Sequence, residues 1–183
     1  MPTKRELVLD AAIELLGSRG ARALTHRAVD EAAGMPSGST SNYFRSRDAL
    51  LAGLAERLEE RDYADWDALS RVPAPSTLDQ LVESIALFVT HAITTDRTRT
   101  LARYALFLEA PGSPAAQAAV RRGNERLTDW IRAMLRNVDA GPDVAKLLVD
   151  CLDGVVLHQL AGPATEFDAQ RAVDRLVRGL LLS

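Results

Sequence analysis

Apolar residues return every three or four positions along almost the whole chain, and Pro and Gly interrupt that rhythm at regular intervals. This spacing is what most narrows the possible folds. No run alternates apolar and polar residues in steps of two with Val, Ile and Thr, so strands have no support. Ala and Leu, both strong helix formers, are abundant. The pattern predicts an all-α protein of about nine helices.

Local signals place the helices. Thr3 can cap the first, about 3–18, with Glu6 as its capping-box partner. Val8, Ala11, Ala12, Leu15 and Leu16 make one buried face, and Gly17 and Gly20 surround the end. Thr25 caps a short second helix with Ala28, Val29, Ala32 and Ala33 inside, and Gly34 ends it. Pro36 opens a third short helix that runs to about Tyr43. Ser46 caps a long fourth, with Leu50, Leu51, Leu54 and Leu58 on one face, reaching about Ser70. Pro73 and Pro75 set off a fifth, about 77–95, and Asp96 caps a sixth, about 97–109. Pro111-Gly112-Ser113-Pro114 breaks the chain before a seventh, about 114–138. Gly141-Pro142 and Gly162-Pro163 precede an eighth, about 143–161, and a ninth, about 166–182.

The chain has 183 residues, enough for one large domain or for a small module joined to a larger one. No stretch approaches the ~18 consecutive apolar residues of a membrane span. The start, Met1-Pro2-Thr3-Lys4-Arg5-Glu6, leads into a charged amphipathic segment rather than a secretory leader. A single cysteine, Cys151, excludes an internal disulfide and a cysteine-based zinc site. Its apolar neighbours make it small core filling. The expectation is a cytoplasmic protein with no membrane contact.

A net charge of −3 argues at first against nucleic acid, but the charge is unevenly spread. Residues 1–50 sum to +1 and the rest to −4; between Arg22 and Arg47 the sum is +2. That basic stretch coincides with a compact unit, Leu24 to Leu51: a capped short helix, a turn through Gly34, and a second short helix rich in Ser and Gly. Such a unit reads as a helix-turn-helix, whose second helix enters the DNA major groove. Small side chains there let the backbone approach closely.

The residues Leu24-Thr25-His26-Arg27-Ala28-Val29, Ala32-Ala33-Gly34-Met35, Gly38-Ser39 and Tyr43-Phe44-Arg45-Ser46-Arg47-Asp48-Ala49-Leu50-Leu51 resemble the DNA-binding domain of the tetracycline-repressor (TetR) family. The likeness covers about the first 55 residues; the remainder is similar only in architecture. The resemblance implies a helix-turn-helix domain over 1–50 and a helical ligand-binding and dimerisation domain over 51–183. It implies that Thr25 and Arg27 touch phosphate and a base edge, and that Ser37, Ser39, Ser41 and Asn42 face the groove. It puts Tyr43 on a phosphate, and Arg47 on another at the start of the fourth helix. The family often carries an apolar residue and then an aromatic where this chain has Thr40 and Ser41, so a base or sugar contact is missing. Phe44 and Met35 read as core; His26 is open between DNA contact and plain exposure.

The helical body offers Trp66, Phe88, His91, Arg103, Tyr104, Phe107, Trp130 and His158 as a ligand pocket between the fourth and eighth helices. Ordinary helix packing explains any one of them equally well. Arg103 and His91 stand out, since a polar group facing inward needs a partner. The apolar faces of the last two helices form a dimer interface in this reading: Leu148, Leu152, Val155 and Val156 against Val173, Leu176, Val177 and Leu180. Two such chains would present recognition helices about 34–36 Å apart to a near-palindromic operator.

The expected function is a dimeric repressor released from double-stranded DNA by a small-molecule effector. Neither a phosphate loop nor metal-spaced histidines occur, and Ser37-Gly38-Ser39 lacks the setting of a hydrolase elbow. No catalytic residue, cofactor or metal is therefore expected. The competing readings are a helical enzyme or carrier acting on the ligand, and an interaction scaffold without DNA binding.

Overall fold

The computed structural model describes residues 2–69, 74–162 and 166–181, without the side chains of 64–69 and 142. The expectations resting on Pro73, Pro163 and the side chain of Trp66 lie outside the described residues. Within them the regular structure is entirely helical. Nine α-helices run in order: α1 (Lys4–Arg19), α2 (His26–Ala32), α3 (Ser39–Tyr43), α4 (Arg47–Leu69), α5 (Leu78–Ile93), α6 (Arg97–Glu109), α7 (Pro114–Asn137), α8 (Ala145–Ala161) and α9 (Ala169–Leu181).

The local start signals hold where the cap is a neighbour in sequence. Thr3 Oγ1 accepts from the Glu6 N–H at 3.2 Å, and Glu6 Oε2 accepts from the Thr3 N–H at 2.6 Å, a complete capping box. Thr25, Ser46 and Thr77 do the same service for α2, α4 and α5. The third helix departs from expectation: it begins at Ser39, not at Pro36. Gly38 sits at φ 92°, a left-handed geometry that a continuing right-handed helix excludes. The Ser39 N–H donates instead to the Pro36 carbonyl at 3.1 Å, closing a turn.

The chain packs as two compact units, Met1–Ala68 with Thr98–Gly123, and Leu69–Arg97 with Asn124–Ser183. The expected division after residue 50 falls inside α4 and so does not coincide with this one. In the first unit, one core gathers Val8, Leu9, Ile13 and Leu16 of α1, Val29 of α2, Phe44, and Leu50, Leu54 and Leu58 of α4. Ala102 and Leu106 of α6 and Ala116 and Ala119 of α7 belong to the same core. Gly17 lets α6 approach: a Cβ there would fall on the Thr98 carbonyl. Arg57 of α4 reaches α1, its Nε and Nη2 donating to the two carboxylate oxygens of Asp10 at 2.9 and 3.0 Å.

In the second unit α9 lies along α5 and α8 packs beside both. Leu81, Val82, Ile85 and Val89 of α5, Leu148, Leu152 and Val156 of α8, and Val173 and Val177 of α9 are buried there. These five α8 and α9 residues were expected on the outside, facing a partner. They are covered within one chain because α5 occupies that side of the hairpin.

Candidate DNA-binding site

The site grows from the turn between α2 and α3. Gly34, at φ 62°, reverses the chain after α2, and the Met35 N–H donates to the Asp30 carbonyl at 2.9 Å. Helix α3 then begins with unsatisfied N–H groups and no side-chain cap of its own. Asp30 supplies one from α2. Its Oδ2 accepts from the Gly38 N–H at 2.7 Å, and its Oδ1 from the Thr40 N–H at 2.7 Å and the Thr40 hydroxyl at 2.5 Å. Both residues are buried. Burial pushes the Asp30 carboxyl up, but the Thr40 and Gly38 hydrogen bonds outweigh it and hold the group below its ordinary value of 3.8.

The far end of α3 is fixed by His26 and Phe44. His26 Nε2 donates to the Phe44 carbonyl at 2.7 Å, which ties the first residue of α2 to the residue closing α3. The Phe44 ring is buried against α4, where Gly53 makes room: a Cβ at 53 would lie 2.5 Å from Cε1 of that ring. The guanidinium of Arg5 stands 5.4 Å from the ring centroid.

These anchors leave Ser41, Asn42 and Tyr43 of α3 exposed, along with Ser37 just before it and Thr25 and Arg27 at the start of α2. Ser39 is half-buried, its hydroxyl donating to the Pro36 carbonyl at 2.6 Å. Arg47 is engaged with protein rather than pointing freely outward. Its Nη1 donates to the Leu24 carbonyl at 2.8 Å, and its Nη2 to the Ala21 carbonyl at 3.0 Å and to Glu109 at 2.9 Å.

Sequence reasoning missed Asp30, Thr40 and Glu109. For Asp30 and Thr40 a signal existed: α3 opens on a glycine, so its first N–H groups need an acceptor from elsewhere. Nothing in the sequence marks Glu109, since it lies 62 residues from its partner.

The expected pocket residues are divided between the two units. In the second unit the Phe88 and Trp130 rings meet at 6.2 Å between centroids, tilted by 50°. His91 is exposed and does not face inward; His158 is exposed too, donating from Nδ1 to the Gly154 carbonyl. In the first unit Tyr104 and Phe107 stack edge to face, and Arg103 pairs with Asp62 at 2.6 Å. A cleft of about 490 Å3 opens between α5 and the start of α9, and none of these residues lines it. Cys151 is half-buried rather than core. On the outer side of α8 and α9, Leu147 and Leu157 are exposed, and Val155, Leu176 and Leu180 are half-buried.

Family comparison agrees with this geometry at both ends of the chain. Residues 8–54 match the model of the bacterial regulatory proteins of the tetR family. Residues 76–183 match that of the tetracyclin repressor-like C-terminal domain, more than half of the chain. The chain belongs to the TetR family of transcriptional regulators. It is thus a DNA-binding regulator rather than an enzyme, with a ligand-binding helical region.

Among TetR-like structures, it is similar to the multidrug binding protein EbrR. The complex with imidazole is 30% identical, covers 99% of this chain and 96% of that one, and superposes with a TM-score of 0.70. The complex with ethidium is 28% identical over 98% and 99%, with a TM-score of 0.76. A TetR-family member from Streptomyces coelicolor is 28% identical over 98% and 99%, with a TM-score of 0.73. A sequence relative, an HTH-type transcriptional regulator in the dhlA 5′ region of Xanthobacter autotrophicus, is 41% identical over 58 residues. That match takes in 32% of this chain and only 29% of the relative's length.

Proposed function

We propose that this chain acts in the cytoplasm as a homodimeric repressor, released from a near-palindromic operator by a small-molecule effector. One observation carries the reading. The side chains that brace α3 are buried or bonded inward, while Ser41, Asn42 and Tyr43 of α3 and Arg27 of α2 are exposed. Small polar side chains on a short, rigidly held helix suit direct reading of the major groove. Tyr43 and Thr25 hold phosphates, Arg27 and Asn42 reach base edges, and Ser37, Ser39 and Ser41 line the approach. Arg47 adds charge at the start of α4, where the helix end also favours an anion.

Two copies are needed because the local excess of positive charge is small. The partner would meet α8 and α9 through Leu147, Val155, Leu157, Leu176 and Leu180, with Gly154 leaving open space for close approach. The effector would favour a state in which the two recognition helices no longer match successive grooves. A coupling of ~1–3 kcal/mol would lower DNA affinity about 5–150-fold. The EbrR complexes make ethidium and imidazole the first effectors to try.

A gel-shift titration against the DNA upstream of its own gene, at physiological salt, tests the reading. Sequence-selective binding that weakens in Arg27→Ala and Tyr43→Phe supports it. Binding without sequence preference would sink it, and tight binding indifferent to both substitutions would sink the residue assignments.

A further inference from the structure

Arg47 is where expected role and observed bonds diverge most. Two of its three bonds go to the Leu24 and Ala21 carbonyls, neutral acceptors that hold the guanidinium against the turn before α2 without cancelling its charge. The third goes to the Glu109 carboxylate at 2.9 Å, which does cancel it. Both side chains remain reachable from solvent, at 44% and 32% exposure. The carboxylate is carried by the last residue of α6, a helix whose first turn is seated on α1 through the Thr98 carbonyl and Gly17.

We propose that Glu109 is an intramolecular stand-in for a DNA phosphate: its carboxylate competes with the backbone of a bound duplex for Arg47. The proposal rests on the DNA-binding reading above. A carboxylate and a phosphate oxygen accept from the same guanidinium edge, so one excludes the other at Nη2. A carboxylate on the last turn of a helix is also disfavoured by that helix's own dipole, whereas the start of α4 attracts it. Glu109 therefore gains from staying on Arg47, and DNA must displace it. In this arrangement the end of α6 sets how much positive charge the start of α4 offers to DNA.

The test measures binding of the full chain to a labelled duplex from upstream of its own gene, across a range of NaCl. Glu109→Gln is expected to bind more tightly and to steepen the slope of log K against log salt by up to about 0.9 per chain, the limit in which Glu109 keeps Arg47 off the phosphate altogether. Its advantage over wild type should then widen by up to about 3.5-fold per chain between 200 and 50 mM salt. Arg47→Gln should flatten the slope, and adding Glu109→Gln to it should change nothing further. Glu109→Ala repeats the measurement should the Gln variant fold poorly, as judged by circular dichroism. A folded Glu109 variant that binds no more tightly than wild type at 50 mM salt overturns the proposal. So does an equal gain with and without Arg47, which would mark a general charge effect. Folded wild-type protein that binds no duplex at all would instead overturn the DNA-binding reading, and this inference with it.

Discussion

At the scale of single residues, Asp30 matters most to the bracing of α3, and the sequence marks it only indirectly. It reads there as one charge on a short amphipathic helix, yet its two oxygens take three donors from the start of α3. Replacing it by Ala leaves those donors buried without a partner, which costs about 3 kcal/mol. Thermal unfolding followed by circular dichroism should show that loss, with DNA binding falling alongside. Its pH behaviour follows from the depressed pKa. The unfolded carboxyl takes up a proton first as pH drops, so the stabilisation is full above the ordinary value of 3.8 and fades below it. Asp30→Asn should therefore flatten the acid limb of a stability-against-pH curve. If the limb is as steep in the variant as in wild type, the carboxylate is not the group that titrates. Thr25, Arg27, Ser41, Asn42 and Tyr43 are exposed on or next to two short helices, and their assignment to DNA comes from the family resemblance rather than from any bond inside the chain.

At the scale of elements, what could be read from sequence follows the reach of the interactions. Thr3, Thr25, Ser46 and Thr77 cap donors three residues on, so their helices begin where the pattern says. The start of α3 was placed too early because a proline is a local signal and the true cap comes from α2. The contacts of α6 are equally non-local. Gly17→Ala would drive a methyl group into the Thr98 carbonyl, and overpacking of this sort costs about 1–3 kcal/mol. A melting temperature unchanged by that substitution would mean that α1 and α6 do not meet as closely as described. Arg57 gives a complementary test on α1 and α4. Its guanidinium spans both oxygens of Asp10, and Lys cannot reproduce that fork. Arg57→Lys should lower stability by about 1–2 kcal/mol in chemical denaturation, and more so than Lys146→Arg, which changes an exposed pair on α8.

At the scale of the whole molecule, the proposed dimer is the largest feature that one chain displays only in part. The pattern on α8 and α9 was legible as apolar, but periodicity cannot say which apolar residues face α5 and which face a second copy. Those left outside include Leu147 and Leu157, 52% and 45% exposed. Leu157→Glu would remove two buried leucines from a two-fold interface, about 3 kcal/mol in all, and weaken the dimer about a hundredfold. Sedimentation velocity should show monomer at concentrations where wild type is dimeric. A wild-type chain that is itself monomeric would end the dimer proposal.

The core of the first unit draws on residues 102–119 as well as on the first sixty or so. Its parts are therefore not a cassette that can be cut out as one contiguous piece of gene. A chimaera joined after residue 54 would keep Thr25, Arg27 and Tyr43 but strip Ala102, Leu106, Ala110 and Ala116 from the core to which Leu50 and Leu54 belong. Retargeting this regulator by transplantation would require moving α6 and the start of α7 together with the helices that meet DNA.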